Sequence, residues 1–386
     1  MTYKFPLSYD SWDHEEPEAI YEVVKDGFFT MGKKVKKFEE EFSNYVDSKY
    51  SVMVNSGSSA NLLMVASLFY TKDSKIKLKR GDEVIVPAVS WSTSYYPLYQ
   101  YGLKIKFVDI DLETLNYDLE KLKSAVTEKT KVILAVNLLG NPNDFKEIKK
   151  IIENKDISII EDNCESLGAE FQNQKTGTIG LLGTFSFFFS HHISTMEGGM
   201  VVTDNEELYH ILLSLRAHGW TRNLPEDNLI AKKSKNSFDE SFRFVLPGYN
   251  LRPLEMSGAI GSIQIKKFPN FLVQRKKNAE NFLNKMKNYD DIITQKEIGS
   301  SSWFGFSIII KPGSKRTRAN IVNTLSDIGF ECRPIVTGNF VKNTVVNYFN
   351  YEVNDSLKNA NWIDENGLFI GNHHVDMKTA LHLLTL

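Results

Sequence analysis

Phe185 to Val202, FSFFFSHHISTMEGGMVV, is the stretch around which the rest of the chain is arranged. A run of strand-forming aromatics ends at Ser190, two histidines follow, and Glu197-Gly198-Gly199 leads into a second apolar strand beginning at Met200. A loop joining two strands is a common seat of chemistry, because the strands fix side chains that the loop leaves accessible. Imidazole titrates near pH ~6.5 and carries protons at neutral pH. Either histidine is therefore chemically competent as an acid-base group, and His192 is expected to pack or orient. No lysine occurs between Lys175 and Lys232, so this part of the chain offers no amine.

Upstream, Tyr50 to Val54 reads as a short buried strand, followed by Asn55-Ser56-Gly57-Ser58-Ser59-Ala60-Asn61 and an apolar helix through Tyr70. A strand feeding a Gly/Ser turn into a helix N-terminus aims unpaired N-H groups and a positive dipole end at an anion. A phosphate is expected at Gly57 and Ser58; the competing reading makes Ser58 a simple N-cap. Val/Ile-rich runs at Glu83 to Val86, Ile105 to Asp109, Lys131 to Asn137 and Ile157 to Glu161 alternate with helical or turn-rich segments. That rhythm predicts an α/β fold with a mostly parallel sheet covered by helices on both faces. Ligands in such sheets lie beyond the carboxyl ends of the strands. The segments starting at Ser90, Asn137 and Glu161 are expected to converge there. Asp162, at a strand end, suits a pyridine nitrogen that must stay protonated, or else caps a helix. Trp91 offers a flat face for stacking, or else is plain core.

Pro17 to Lys25 and Lys34 to Val46 have helical periodicity around the aromatic turn Gly27-Phe28-Phe29-Thr30, which either lines a ligand pocket or packs a corner. Beyond the central loop, Glu206 to Arg216 is helical, and His218 and Arg222 follow in a turn able to meet an anion or simply solvated. Leu224 to Arg243 reads as a long loop. A domain boundary is placed between residues 250 and 251, giving a large domain 1–250 and a smaller mixed domain 251–386. The latter is expected to hold a helix at about Phe271 to Asn288, the strand Phe304 to Ile310, helices at about Ala319 to Ile328 and after Val375, and Glu331 on its ligand-facing edge.

Aromatics at 12% and charged residues at 24% describe an ordinary globular chain. A net charge of -2 leaves no electrostatic footprint for nucleic acid or an anionic membrane. The N-terminus lacks signal- and transit-peptide patterns. No apolar run approaches the ~20 residues that span a bilayer. Two cysteines, Cys164 and Cys332, make neither a disulfide framework nor an iron-sulfur ligand set, so a cytoplasmic protein without a metal site is expected.

Together, Ser56-Gly57-Ser58, Trp91, Asp162, Ser186, Thr195 to Gly199, Arg216-Ala217-His218-Gly219 and Gly248-Tyr249-Asn250-Leu251-Arg252 resemble the DegT/DnrJ/EryC1/StrS nucleotide-sugar aminotransferases, a pyridoxal phosphate family of fold type I. The resemblance covers nearly the whole chain. In that family a lysine that holds the cofactor follows the aromatic strand; here its place is taken by His191. The stretch SHHISTMEGG is similar to the branch that removes the C3 hydroxyl of GDP-4-keto-6-deoxymannose rather than aminating the sugar. The resemblance implies roles. Gly57 and Ser58 hold the phosphate of pyridoxal 5'-phosphate or pyridoxamine 5'-phosphate with Ser186 nearby, Trp91 and Glu165 contact its ring, and Asp162 meets the ring nitrogen. Members are homodimers with shared sites, so Asn250, a cofactor-binding candidate, and Arg252 serve the partner. His218 and Arg222 bind L-glutamate or the sugar nucleotide, with Gly27, Phe28, Phe29, Thr30 and Glu331 as further candidates for the latter.

A lysine amine would capture the cofactor aldehyde; histidine cannot, and leaves the site free for proton transfer. The implied cycle loads the amino group from glutamate, condenses it with the sugar ketone, uses His191 to move a proton while the C3 hydroxyl departs, and ends in hydrolysis to ammonia and a 3-deoxy-4-keto sugar. Two alternatives remain at this point: a 4-aminotransferase with an unusual base, and a catalytically silent binding protein.

Overall fold

The computed structural model describes residues 3–386. Its strands are β1 (Tyr50–Val54), β2 (Glu83–Pro87), β3 (Lys104–Val108), β4 (Thr130–Val136), β5 (Ser158–Asp162), the ribbon β6 (Glu170–Phe171) and β7 (Gln174–Lys175), β8 (Leu182–Ser186), β9 (Gly199–Thr203), β10 (Ile292–Ile293), β11 (Gly305–Ile310), β12 (Cys332–Arg333), β13 (Tyr351–Asn354) and β14 (Gly367–Gly371). Eight of them form one sheet in the order β1-β9-β8-β5-β4-β2-β3-β13. All neighbours pair in parallel except those of β9, which runs against both β1 and β8. Parallel strands covered on both faces cannot alternate polar and apolar residues, which is why β2 and β4 appear in the sequence as continuous Val/Ile runs.

The helix Gly57–Tyr70 is buried around most of its girth between the sheet and the helix Glu206–Arg216, and its sequence is correspondingly apolar on every side. On the other side, Phe38 and Phe42 of the helix Lys33–Val46 meet Phe185 and Phe187 edge-on, with ring centroids 5.0 to 5.3 Å apart. Those rings anchor the aromatic strand. The strand itself stops at Ser186 rather than Ser190. Phe187 N–H bonds to the Gly198 carbonyl and Thr195 N–H to the Phe187 carbonyl, pinching residues 187–198 into a closed loop. Phe189 consequently faces solvent.

Two further differences from the sequence reading have physical causes. The segments at Glu255 to Gln264 and Phe271 to Asn288 are one helix, Glu255–Met286, with Pro269 inside it. Proline normally interrupts a helix by removing one N-H and crowding the preceding turn. Here Ile265 and Phe268 are buried just before it and Arg275 and Ala279 just after, so tertiary packing holds the axis together. Second, Tyr351–Asn354 joins the large sheet as an edge strand, where Glu352 pairs with Lys104 and Lys106. Charged side chains suit an exposed sheet edge.

A second sheet, β10-β11-β14-β12, carries its own core of Phe282, Phe306, Ile308, Leu325, Ile370 and Leu381. Residues on the two sides of position 250 share the larger core as well, since Ile335, Phe340, Val346 and Phe349 pack into it. Residues 224–243 are irregular apart from the short helix Ser237–Glu240. No described helix is long and apolar enough to cross a membrane.

Candidate active site

The carboxyl ends of β1, β2, β4, β5 and β8 surround a cavity of about 420 Å³, within the range of small-molecule sites. Its floor begins at the helix Gly57–Tyr70. Ser56 is the N-cap, accepting the Ser59 N–H at 3.1 Å, so the Ser58 hydroxyl is not spent on capping. A Cβ at Gly57 would stand 2.6 Å from Cβ of Ser186. Only glycine lets the β8 serine come that close to the helix end, where unpaired N–H groups are able to receive an anion. Gly57, Ser58 and Ser186 thus share one wall.

Trp91 stands at the mouth, 57% exposed although it caps a helix in the interior of the fold. Asp162 closes the deep end; its Oδ2 accepts from Asn61 Nδ2 at 2.8 Å and Ser94 Oγ at 2.6 Å. Behind it, Glu161 is fully buried on the N–H groups of Gly177, Ile179 and Gly180, which fixes the end of β5. Glu165 Oε2 accepts the Leu139 N–H at 2.9 Å. Burial pushes the Glu165 carboxyl up to about 7 against the pull of that N–H, and the Asp162 charge adds to the rise.

His191 lies on the opposite wall with its ring edge-on to Phe304, centroids 5.2 Å apart. Nδ1 is buried without a partner, which leaves Nε2 as the nitrogen open to the cavity. Burial, then the Arg275 guanidinium, lower the His191 pKa to about 4, so the imidazole is neutral at pH 7. No lysine lines the cavity among the described residues. His192 points away: it is buried, its Nε2 lies 3.3 Å from the Ser302 carbonyl, and its ring packs on Phe268 and Phe304. Packing was the role expected of it.

Arg275 is itself buried, donating to the carbonyls of Phe304 at 3.3 Å and Asn372 at 2.8 Å with no carboxylate paired to it among the described residues. It depresses His191, His192, His373 and His374 together, in each case after burial, the larger cause. In the unfolded chain these rings titrate near ~6.5. Between that value and about 4 the unfolded chain therefore binds more protons than the native one, so stability rises with pH across this window and is lost as pH falls. The urea midpoint of the cofactor-free protein is expected to drop steadily from pH 7 to pH 5. A midpoint that is flat or higher at pH 5 contradicts these assignments.

The remaining sequence candidates lie elsewhere. Glu331 lines an adjoining groove of about 650 Å³ that shares Trp91, Glu165, Phe188, Ser190 and Phe304 with the cavity. Its two oxygens accept from Leu7 N–H at 3.1 Å and Arg333 Nη2 at 2.8 Å. Gly27, Phe28, Phe29, Thr30, His218, Arg222, Asn250 and Arg252 reach neither space. They belong to the protein's outer face: Arg222 stacks 4.3 Å over the Trp220 ring, Arg252 approaches the same ring at 5.6 Å and bonds Asn250, and the Phe29 carbonyl accepts the Glu255 N–H. Sequence reasoning did not single out Asn61, Ser94, Phe188 or Phe304. Phe304 arrives from the second sheet with no local motif, so only the tertiary fold announces it.

The DegT/DnrJ/EryC1/StrS aminotransferase family profile matches residues 10–381. A GDP-4-keto-6-deoxy-D-mannose 3-dehydratase of Yersinia pseudotuberculosis is 61% identical over 379 residues, 98% of this chain and 96% of that one. A solved GDP-4-keto-6-deoxymannose-3-dehydratase, a histidine-to-asparagine mutant with bound GDP-perosamine, superposes with a TM-score of 0.97 at 58% identity over 99% of this chain and all of the other. Another structure of that enzyme, with a trapped PLP-glutamate geminal diamine, gives 0.96 at 58% identity with the same coverage. The family match over residues 10–381 and the 61% identity along nearly the full length make this chain a member of the DegT/DnrJ/EryC1/StrS aminotransferase family.

Proposed function

We propose that this protein is a pyridoxal phosphate- and glutamate-dependent lyase that removes the C3 hydroxyl of GDP-4-keto-6-deoxy-D-mannose. One observation carries the reading: the cavity lined by Gly57, Ser58, Ser186, Trp91 and the buried Asp162 holds a neutral His191 and, among the described residues, no lysine, and the family resemblance puts the cofactor lysine at position 191. The relatives at 61% and 58% identity are named for this dehydration.

Gly57, Ser58 and Ser186 would hold the cofactor phosphate, Trp91 and Glu165 would contact the ring, and Asp162 would meet its nitrogen. The cofactor supplies an electron-accepting ring and a carbon that carries the amino group taken from glutamate. Everything else falls to side chains. His191 Nε2 takes up a proton in the cavity and returns it to the departing C3 oxygen, which leaves as water. Its low pKa leaves the ring unprotonated at rest and makes it a strong donor once charged, while making it a weaker base in the uptake half. Phe304 and Phe188 keep bulk water from the same wall. The groove past Glu331 extends from the cavity mouth and accommodates the nucleotide.

The outer-face residues Gly27, Phe28, Phe29, Thr30, His218, Arg222, Asn250 and Arg252 complete the cavity of a second copy in a homodimer. Supporting this, the face exposes Phe28, Phe29, Phe242, Phe244 and Leu254 beside two arginines, a composition suited to a protein interface. Product analysis tests the function. Incubation with pyridoxal phosphate, glutamate and the GDP-ketosugar is expected to release ammonia and a 3-deoxy-4-keto sugar. Accumulation of an aminosugar contradicts dehydration, and so does the absence of turnover.

A further inference from the structure

The Asp162 carboxylate is held by a chain of polar side chains whose directions can be worked out. Ser94 has one hydroxyl proton and gives it to Asp162 Oδ2 at 2.6 Å, so at the 2.8 Å contact between Ser90 and Ser94 it is Ser90 that donates. Thr184 Oγ1 donates to Asn61 Oδ1 at 2.6 Å, which fixes the Asn61 amide with Nδ2 toward Asp162 at 2.8 Å and Thr93 O at 3.4 Å. Every member is buried. Oδ2 is thus spent on two donors. Oδ1 accepts the Cys164 N–H, at 3.2 Å, and keeps acceptor capacity for a ligand.

We infer that Asn61 and Ser94 are positioning residues that turn Asp162 so that Oδ1 meets the ring nitrogen of the cofactor. The inference rests on the reading in which Asp162 faces that nitrogen. Asn61 lies one turn into the helix whose first turn forms the phosphate wall, and Ser94 lies three residues after Trp91. One pair of bonds therefore locks the carboxylate to the same two helices that carry the phosphate and stacking sites. Supports of this kind act by fixing a functional group within a fraction of an ångström, and losing them costs about 10- to 100-fold in activity.

The test uses holoprotein loaded with cofactor labelled with nitrogen-15 in the ring, whose chemical shift reports protonation. Asn61→Ala/Ser94→Ala is expected to move the shift toward the unprotonated value and to lower kcat about 10- to 100-fold, with little change in the KM for glutamate. Ser94→Thr, which keeps the hydroxyl, retains the wild-type shift while Ser94→Ala does not. Should the double variant fail to fold, that single-site pair decides. A folded double variant, or a Ser94→Ala protein, with the wild-type shift and kcat overturns the inference. Asp162→Asn is the separate control: a wild-type shift there overturns the contact between Asp162 and the ring nitrogen itself.

Discussion

His191→Asn lowers kcat for release of the deoxygenated ketosugar by about 10²- to 10⁴-fold, the usual worth of a positioned acid-base group. Asparagine fills nearly the same space but cannot take up and return a proton. Binding survives, because the residues proposed to hold the cofactor come from other elements: the helix Gly57–Tyr70, Trp91 and β5. Steady-state rates with an absorbance titration of the cofactor separate the two effects. A variant that keeps near-wild-type turnover removes His191 from the chemistry. One that loses the cofactor as well shows that the residue acts chiefly in binding.

His191→Lys has the opposite consequence for the cofactor and the same one for dehydration. The wall at this position is buried, and Arg275 adds a positive charge beside it. Both influences disfavour an ammonium ion and release the free amine, the nucleophilic form. The introduced lysine is therefore expected to bind the cofactor aldehyde covalently and to reduce dehydration as far as asparagine does. Absorbance of the variant before and after added glutamate, together with ammonia release, reads both effects. A lysine variant whose cofactor exchanges freely contradicts the placement of residue 191 against that aldehyde.

Most of the site was legible in the sequence because its parts are local. A strand, a glycine-serine turn and a helix start are contiguous, so spacing alone pointed to an anion at Gly57 and Ser58, with a simple N-cap as the competing reading. Asp162 ends one strand and Trp91 lies soon after another, and the Val/Ile runs of both are unmistakable. What stayed hidden is non-local. Asn61 looks like any helix residue until Thr184, 123 positions away, orients its amide toward Asp162. Arg275 sits in mid-helix, and nothing near it in sequence shows that four histidines will gather around it. The edge strand Tyr351–Asn354 is short and half-polar, and it becomes a strand only by pairing with β3. Pro269 misled for the complementary reason: a local breaking rule lost to packing on both sides of it.

Dehydration by this route requires a cofactor that no side chain tethers. Reducing the wild-type holoprotein with borohydride and weighing the intact chain by mass spectrometry tests this directly. The chain should keep its unmodified mass while the reduced cofactor passes into the filtrate, and the His191→Lys protein treated alongside should gain the mass of one cofactor. A wild-type chain heavier by one reduced cofactor would mean that a lysine, and not His191, stands against the cofactor aldehyde.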